Sequence, residues 1–224
     1  MNRSRLAEVA LLTLVSLPSL AAAQRCLGTA SFASGMARVG GAVSFVEVGK
    51  IFETGVAMGR DNGAFASARY LRMTGDESDG TMDGVAGSVG YQIPAAGAAQ
   101  FCPMVNISRL SSSVAVSGSS AEVSATGYGF GGAVGFGVSS TETFDFVPSI
   151  ALEYVSRRTT VALSLLGSDF SFSDSQSYGV MTIAAGFVFR KTVTIYPLIH
   201  VPIGLDGAKA DFGAGVAFNF GRRR

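Results

Sequence analysis

The run Lys209-Ala210-Asp211-Phe212-Gly213-Ala214-Gly215-Val216-Ala217-Phe218-Asn219-Phe220 changes chemistry at every residue. Ala210, Phe212, Ala214, Val216, Phe218 and Phe220 form one set, and Lys209, Asp211, Gly213, Gly215, Ala217 and Asn219 the other. Side chains alternate across a strand, so the two sets occupy opposite faces of one ribbon. An apolar face backed by a polar or small one suits hydrocarbon outside and a polar filling inside, the pattern of a transmembrane β-barrel strand.

The pattern recurs along the chain. Strand-like segments fall near 38–48, 51–60, 63–73, 83–93, 99–109, 125–138, 143–157, 178–190, 192–203 and 209–220. Each is close to the roughly 9–11 residues that a tilted membrane strand needs. Phe144, Phe146, Pro148, Ile150, Leu152 and Tyr154 share one face, with Asp145, Ser149, Glu153 and Arg157 opposite. Val193, Ile195, Ile199, Val201 and Ile203 oppose Thr194, Tyr196 and His200, and in the sixth segment a Gly and Ala face leaves room inside. The third segment breaks the rule, because Arg69 and Arg72 fall on opposite sides of it. Short connections at 60–63, 93–98, 139–143 and 190–192 alternate with longer polar ones at 74–82, 110–124, 158–177 and 204–208, as the two ends of such a barrel require. The expectation is an all-β chain: an antiparallel, up-and-down transmembrane β-barrel of eight to ten strands.

The start of the chain carries an export signal. Arg3 and Arg5 precede an apolar stretch from Ala10 to Leu20, followed by Ala21-Ala22-Ala23, small residues that a signal peptidase accepts. The stretch is too short for a spanning helix, which takes about 20 residues. Residues 1–23 are therefore read as a signal peptide, 24–36 as an N-terminal periplasmic segment, 37–221 as the barrel and 222–224 as a basic tail. Losing Arg3, Arg5 and Glu8 leaves basic and acidic residues in equal number. A neutral chain lacks the basic footprint of a nucleic-acid binder.

A secreted β-sandwich shares the alternation and the Gly-rich turns. Its polar faces would meet water and carry more charge than the 15% found here, which concentrates in connections and near strand ends. That balance favours the barrel.

Gly215-Val216-Ala217-Phe218-Asn219-Phe220 resembles the closing strand of bacterial outer-membrane β-barrel proteins, the broad group of small OmpA-like and porin-like barrels. The resemblance extends over nearly the whole mature length. It implies an outer-membrane location, contact with outer-membrane lipid, and recognition by the barrel-assembly machinery through Gly215, Phe218 and Phe220. Gly221-Arg222-Arg223-Arg224 departs from that pattern by running past the terminal aromatic. The scaffold implies no single activity.

Cys26 and Cys102, an even pair in an exported chain, read as a disulfide tying the N-terminal segment to the barrel wall or its lower rim, with two free thiols as the alternative. Glu53, Asp145, Glu153, Arg157, Lys209 and Asp211 fall on the inner face, where charges must be paired or watered. They form a plug or line a narrow pore. His200 is the chain's one histidine and lies on the same face, with no Ser beside it in sequence, so it reads as part of a polar network rather than a catalytic base. Neither a metal site nor a cofactor is expected; the acidic run Asp76-Glu77-Ser78-Asp79 matches no calcium-loop spacing and reads as a solvated loop. The functional expectation is a non-enzymatic barrel with a largely closed lumen and a structural or surface-interaction role; the alternative is a small porin for passive diffusion.

Overall fold

The computed structural model describes residues 25–29, 32, 36–47, 49–60, 62–75, 81–95, 99–116, 119–141, 143–165 and 168–221. The expected signal peptide (1–23), the acidic run at 76–79 and the basic tail at 222–224 lie outside the described residues.

Ten long strands carry the fold: β1 (Met36–Val46), β2 (Gly49–Gly59), β3 (Ala64–Gly75), β4 (Thr81–Tyr91), β5 (Ala99–Val116), β6 (Ser119–Phe136), β7 (Phe144–Leu165), β8 (Ser168–Phe189), β9 (Val193–Ile203) and β10 (Asp211–Phe220). Each pairs antiparallel with its neighbour in sequence. β10 then pairs with β1, from Ala37↔Phe220 to Phe45↔Phe212, and closes the ring. Two short segments, Ile93–Pro94 and Val138–Thr141, pair with β5 and β7 near the lower rim. One sheet closed on itself rules out the two-sheet sandwich, and the strand number resolves to ten.

Alternation governs every wall strand. On β10, Asp211, Gly215, Ala217 and Asn219 are shielded inside while Phe212, Val216, Phe218 and Phe220 are exposed outside. The outer belt continues through Ile150, Leu152 and Tyr154 on β7, Ile195, Ile199 and Ile203 on β9, and Tyr128, Phe130 and Phe136 on β6. From Phe144 to Tyr154 the β7 belt rises, at a usual strand tilt, to about 25 Å, the height of an outer-membrane apolar band. Tyr70, Tyr128 and Tyr154 lie toward its upper margin; Tyr91, Phe136, Phe189 and Phe220 lie toward the lower.

The third segment is regular after all. Phe65, Ser67, Arg69, Leu71 and Met73 point inward; Arg72 points outward near the upper end, 3.9 Å from Asp83 of β4, whose carboxylate also accepts a hydrogen bond from Tyr70. Arg72 sits at the belt's margin, where a long cationic side chain reaches water.

The expected long connections need correcting. Residues 110–116 and 119–124 are strand, as are 158–165 and 168–177, so these stretches are hairpin arms projecting above the belt rather than loops. Their Ser and Thr content suggested coil, yet Ser and Thr also suit a pleated face in water, and the register runs without a break from Ser168↔Leu165 to Phe189↔Phe144. The lower turn between β8 and β9 is tight. Thr192 N–H donates to Phe189 O at 2.9 Å, with Arg190 and Lys191 at φ 48° and 55°. Two consecutive residues at positive φ make a type I′ turn, the connection that matches strand twist.

Candidate functional site: the plugged lumen and the projecting sheet

Ten strands enclose more space than wall side chains alone fill, since closure by side chains suits about eight. The N-terminal segment occupies the difference. The one-turn 3-10 helix Arg25–Leu27 lies against β5, β6 and β7. Cys26 is bridged to Cys102 of β5, with Cα atoms 6.0 Å apart. The Gly28 carbonyl presses on Gly186 of β8, where a Cβ would sit 1.7 Å from that oxygen, and Phe32 fills the space before Gly59 of β2. β2 stands across the ring from β7, so Cys26–Thr29 and Phe32 lie toward opposite sides of the lumen. Their side chains join Met36, Phe65, Met104, Ala133 and Ala151 in an apolar core inside the barrel. This apolar core is bordered by buried amides: Gln100 Nε2 donates to Gln92 Oε1 at 3.3 Å, and Gln92 Nε2 donates to Arg60 O at 2.6 Å.

Beside and above this segment the interior is polar. The Arg38 guanidinium donates to Asn219 Oδ1 and, at 2.8 Å, to Thr29 Oγ1, and lies 4.9 Å from the Phe32 ring centroid. Arg69 meets Glu53 at 3.1 Å, both side chains about 95% buried. Asn106 Nδ2 donates to Glu153 at 2.7 Å, and Arg157 stands 5.8 Å from the Tyr178 ring. Cavities of about 20 Å³ and 30 Å³ flank Arg69, each with room for roughly one water. At the upper end Leu205, from the connection before β10, packs on Val155, Tyr178 and Val180.

The expected inner charges divide accordingly. Glu53, Glu153, Arg157 and Asp211 are inside, and Asp145 is half-buried on the inner face near the lower rim. Lys209 is not in the lumen. It precedes β10, is exposed at the upper rim, and pairs with Glu47 at 2.6 Å. The alternation of residues continues through 209 and 210, but the strand itself begins only at Asp211. Arg38 and Arg69, missed as inner residues, are legible only once β1 and β3 have their register.

His200 is 1% exposed. Its Nδ1 lies 2.8 Å from Thr182 Oγ1 on β8, and Asp211 stands in register with it on β10. A hydroxyl, an imidazole and a carboxylate are thus neighbours, a grouping hidden in sequence because three strands supply it, but the imidazole is sealed from solvent.

Part of the Gly face of β6 makes room for neighbouring side chains. A Cβ on Gly129 would lie 2.2 Å from Glu153 Oε1, so that glycine makes room for a carboxylate crossing β6 toward β5. Gly215 likewise accommodates the Tyr196 ring beside it.

Polarity inverts above the belt. The outer faces of the projecting arms carry Glu122, Ser124, Arg158, Thr160, Ser164, Ser171, Ser173 and Ser175, joined by hydrogen bonds Thr160–Ser173 (3.0 Å) and Ser164–Asp169 (2.6 Å). The inner faces carry Val123, Val161, Leu163, Phe170 and Phe172, in register across β6, β7 and β8.

A closed, antiparallel, ten-strand barrel of this kind has the architecture of the bacterial outer-membrane β-barrels. The fold is similar to the translocator domain of the autotransporter NalP from Neisseria meningitidis, with a TM-score of 0.55 and 11% identity over 98% of this chain and 96% of that one. The outer membrane protease OmpT from Escherichia coli gives a TM-score of 0.48 and 7% identity over 83% and 94%, and the β domain of the Bordetella autotransporter BrkA 0.43 and 14% over 84% and 100%. No protein-family model and no curated protein matches the sequence.

Proposed function

We propose that this chain is an integral outer-membrane protein, exported by residues 1–23, with a closed lumen and a surface-interaction role performed by the sheet above its upper rim. The observation that carries this reading is the placement of Cys26–Thr29 beside β5 to β8, held by the bridge to Cys102, with Phe32 inside the lumen against β2. An outer-membrane location draws support from the apolar belt and from the likeness in fold. Assembly through the closing strand fits the outward row ending in Phe218 and Phe220, and the outer wall's partner is outer-membrane lipid. The sealed setting of His200 favours a network role over hydrolysis.

The alternative, a small porin, rests on the Gly-lined β6 face. Planar-bilayer recording separates the two. Silence at high protein load supports the closed barrel; reproducible conductance steps above noise overturn it.

A further inference from the structure

We infer that the free edge of β8, from Ser168 to Ser177, is a docking site for an extended, basic segment of another protein, which joins the projecting sheet as an added strand. The inference rests on the surface-interaction reading and names the partner's chemistry. β8 pairs with β7 along its whole length, but its pairing with β9 begins only at Gly179↔Ile203. Among the described residues no strand covers the other side of Ser168 to Ser177. Every second residue of an antiparallel edge offers its N–H and C=O outward, ready to template another chain.

Natural edges are blunted by lysines, prolines or bulges. This one has neither Lys, Arg nor Pro between Ser168 and Tyr178, and its register with β7 is unbroken. It instead exposes Phe170 at 52% and Phe172 at 62%. These rings end two apolar rows: Phe170↔Leu163↔Ala121 and Phe172↔Val161↔Val123. A strand with apolar side chains at alternate positions continues both rows, so the backbone supplies affinity and the rows supply register.

The charge on the edge selects among occupants. Its charged residues are Asp169 and Asp174 alone, one on each face. A basic residue opposite each completes a cross-strand pair, whereas like charge directly opposite is unfavourable. An acidic edge likewise disfavours phosphate headgroups, and a second copy of the same edge would bring its aspartates along.

The test uses the refolded full chain in detergent micelles and peptides of about ten residues alternating Val or Phe with Thr, with Lys or Glu at the two positions facing Asp169 and Asp174. The Lys peptide is expected to bind and to slow amide hydrogen exchange across 168–178. The Glu peptide and the F170K/F172K protein are each expected to bind at least about tenfold more weakly. S124K, on an interior strand's outer face, is expected to bind as the parent does. Retention of the heat-modifiable gel shift shows that each variant is folded. Equal binding by F170K/F172K, protection confined to another segment, or protection of 168–178 that rises with protein concentration without peptide overturns the inference, the last by assigning the edge to a second copy. Conductance on the same preparations keeps the two ideas apart: a conducting barrel that binds the peptide sinks only the closed lumen, and a silent one whose edge stays unprotected sinks only the docking site.

Discussion

Glu153 of β7 meets Asn106 of β5 at 2.7 Å although β6 lies between them, and Gly129 is the gap through which the carboxylate passes. One glycine in the wall thereby decides whether two strands that are not neighbours are linked through the lumen.

Gly129→Val removes that passage. The new side chain displaces Glu153 from Asn106 and leaves a buried carboxylate without its donor, a loss of about 2 kcal/mol or more. Urea unfolding in detergent micelles should show a lower midpoint, and Gly129→Ser a smaller fall.

Glu53 and Arg69 form the most buried ion pair described. Glu53→Leu leaves the guanidinium facing an apolar side chain, at a cost of about 3 kcal/mol. Removing both charges, as Glu53→Leu with Arg69→Leu, should restore part of that loss. A double-mutant cycle of unfolding free energies measures the coupling.

The plug contributes to closure and to stability. Replacing Cys26 and Cys102 by Ser removes a cross-link between residues 76 apart, about 4 kcal/mol on the chain-entropy model. The variant should unfold at lower urea yet stay silent in bilayers, because Thr29 and Phe32 still hold Arg38. Deleting residues 24–35 should produce conductance steps where the parent gives none.

Arg190 and Lys191 both occupy the left-handed region, which favours Asn and Gly. Arg190→Asn with Lys191→Gly should therefore stabilise the β8–β9 hairpin, by roughly 1 kcal/mol. A rise in unfolding midpoint with unchanged urea dependence checks it.

The period-2 alternation of β7, β9 and β10 made the barrel legible, since a strand with lipid on one face must declare both faces. Three things were hidden. The arms above the belt alternate with reversed polarity, so Val161, Leu163, Phe170 and Phe172 looked like scattered apolar residues in a serine-rich loop. The inward set of β1 and β3 depends on register, which kept Arg38 and Arg69 apart from Asn219 and Glu53. The placement of Cys26, Gly28 and Phe32 inside the lumen follows from tertiary packing, to which the disulfide expectation was the one pointer in sequence.

The central claim is that the outer face of β7 touches hydrocarbon from Phe144 to Tyr154 and water from Ser156 onward. Single spin labels at Ile150, Leu152, Ser156 and Arg158, read in liposomes by power saturation with oxygen and with a water-soluble nickel chelate, test it directly. Oxygen-dominated relaxation is expected at Ile150 and Leu152, and nickel-dominated relaxation at Ser156 and Arg158. Nickel access at Leu152 equal to that at Arg158 would contradict it.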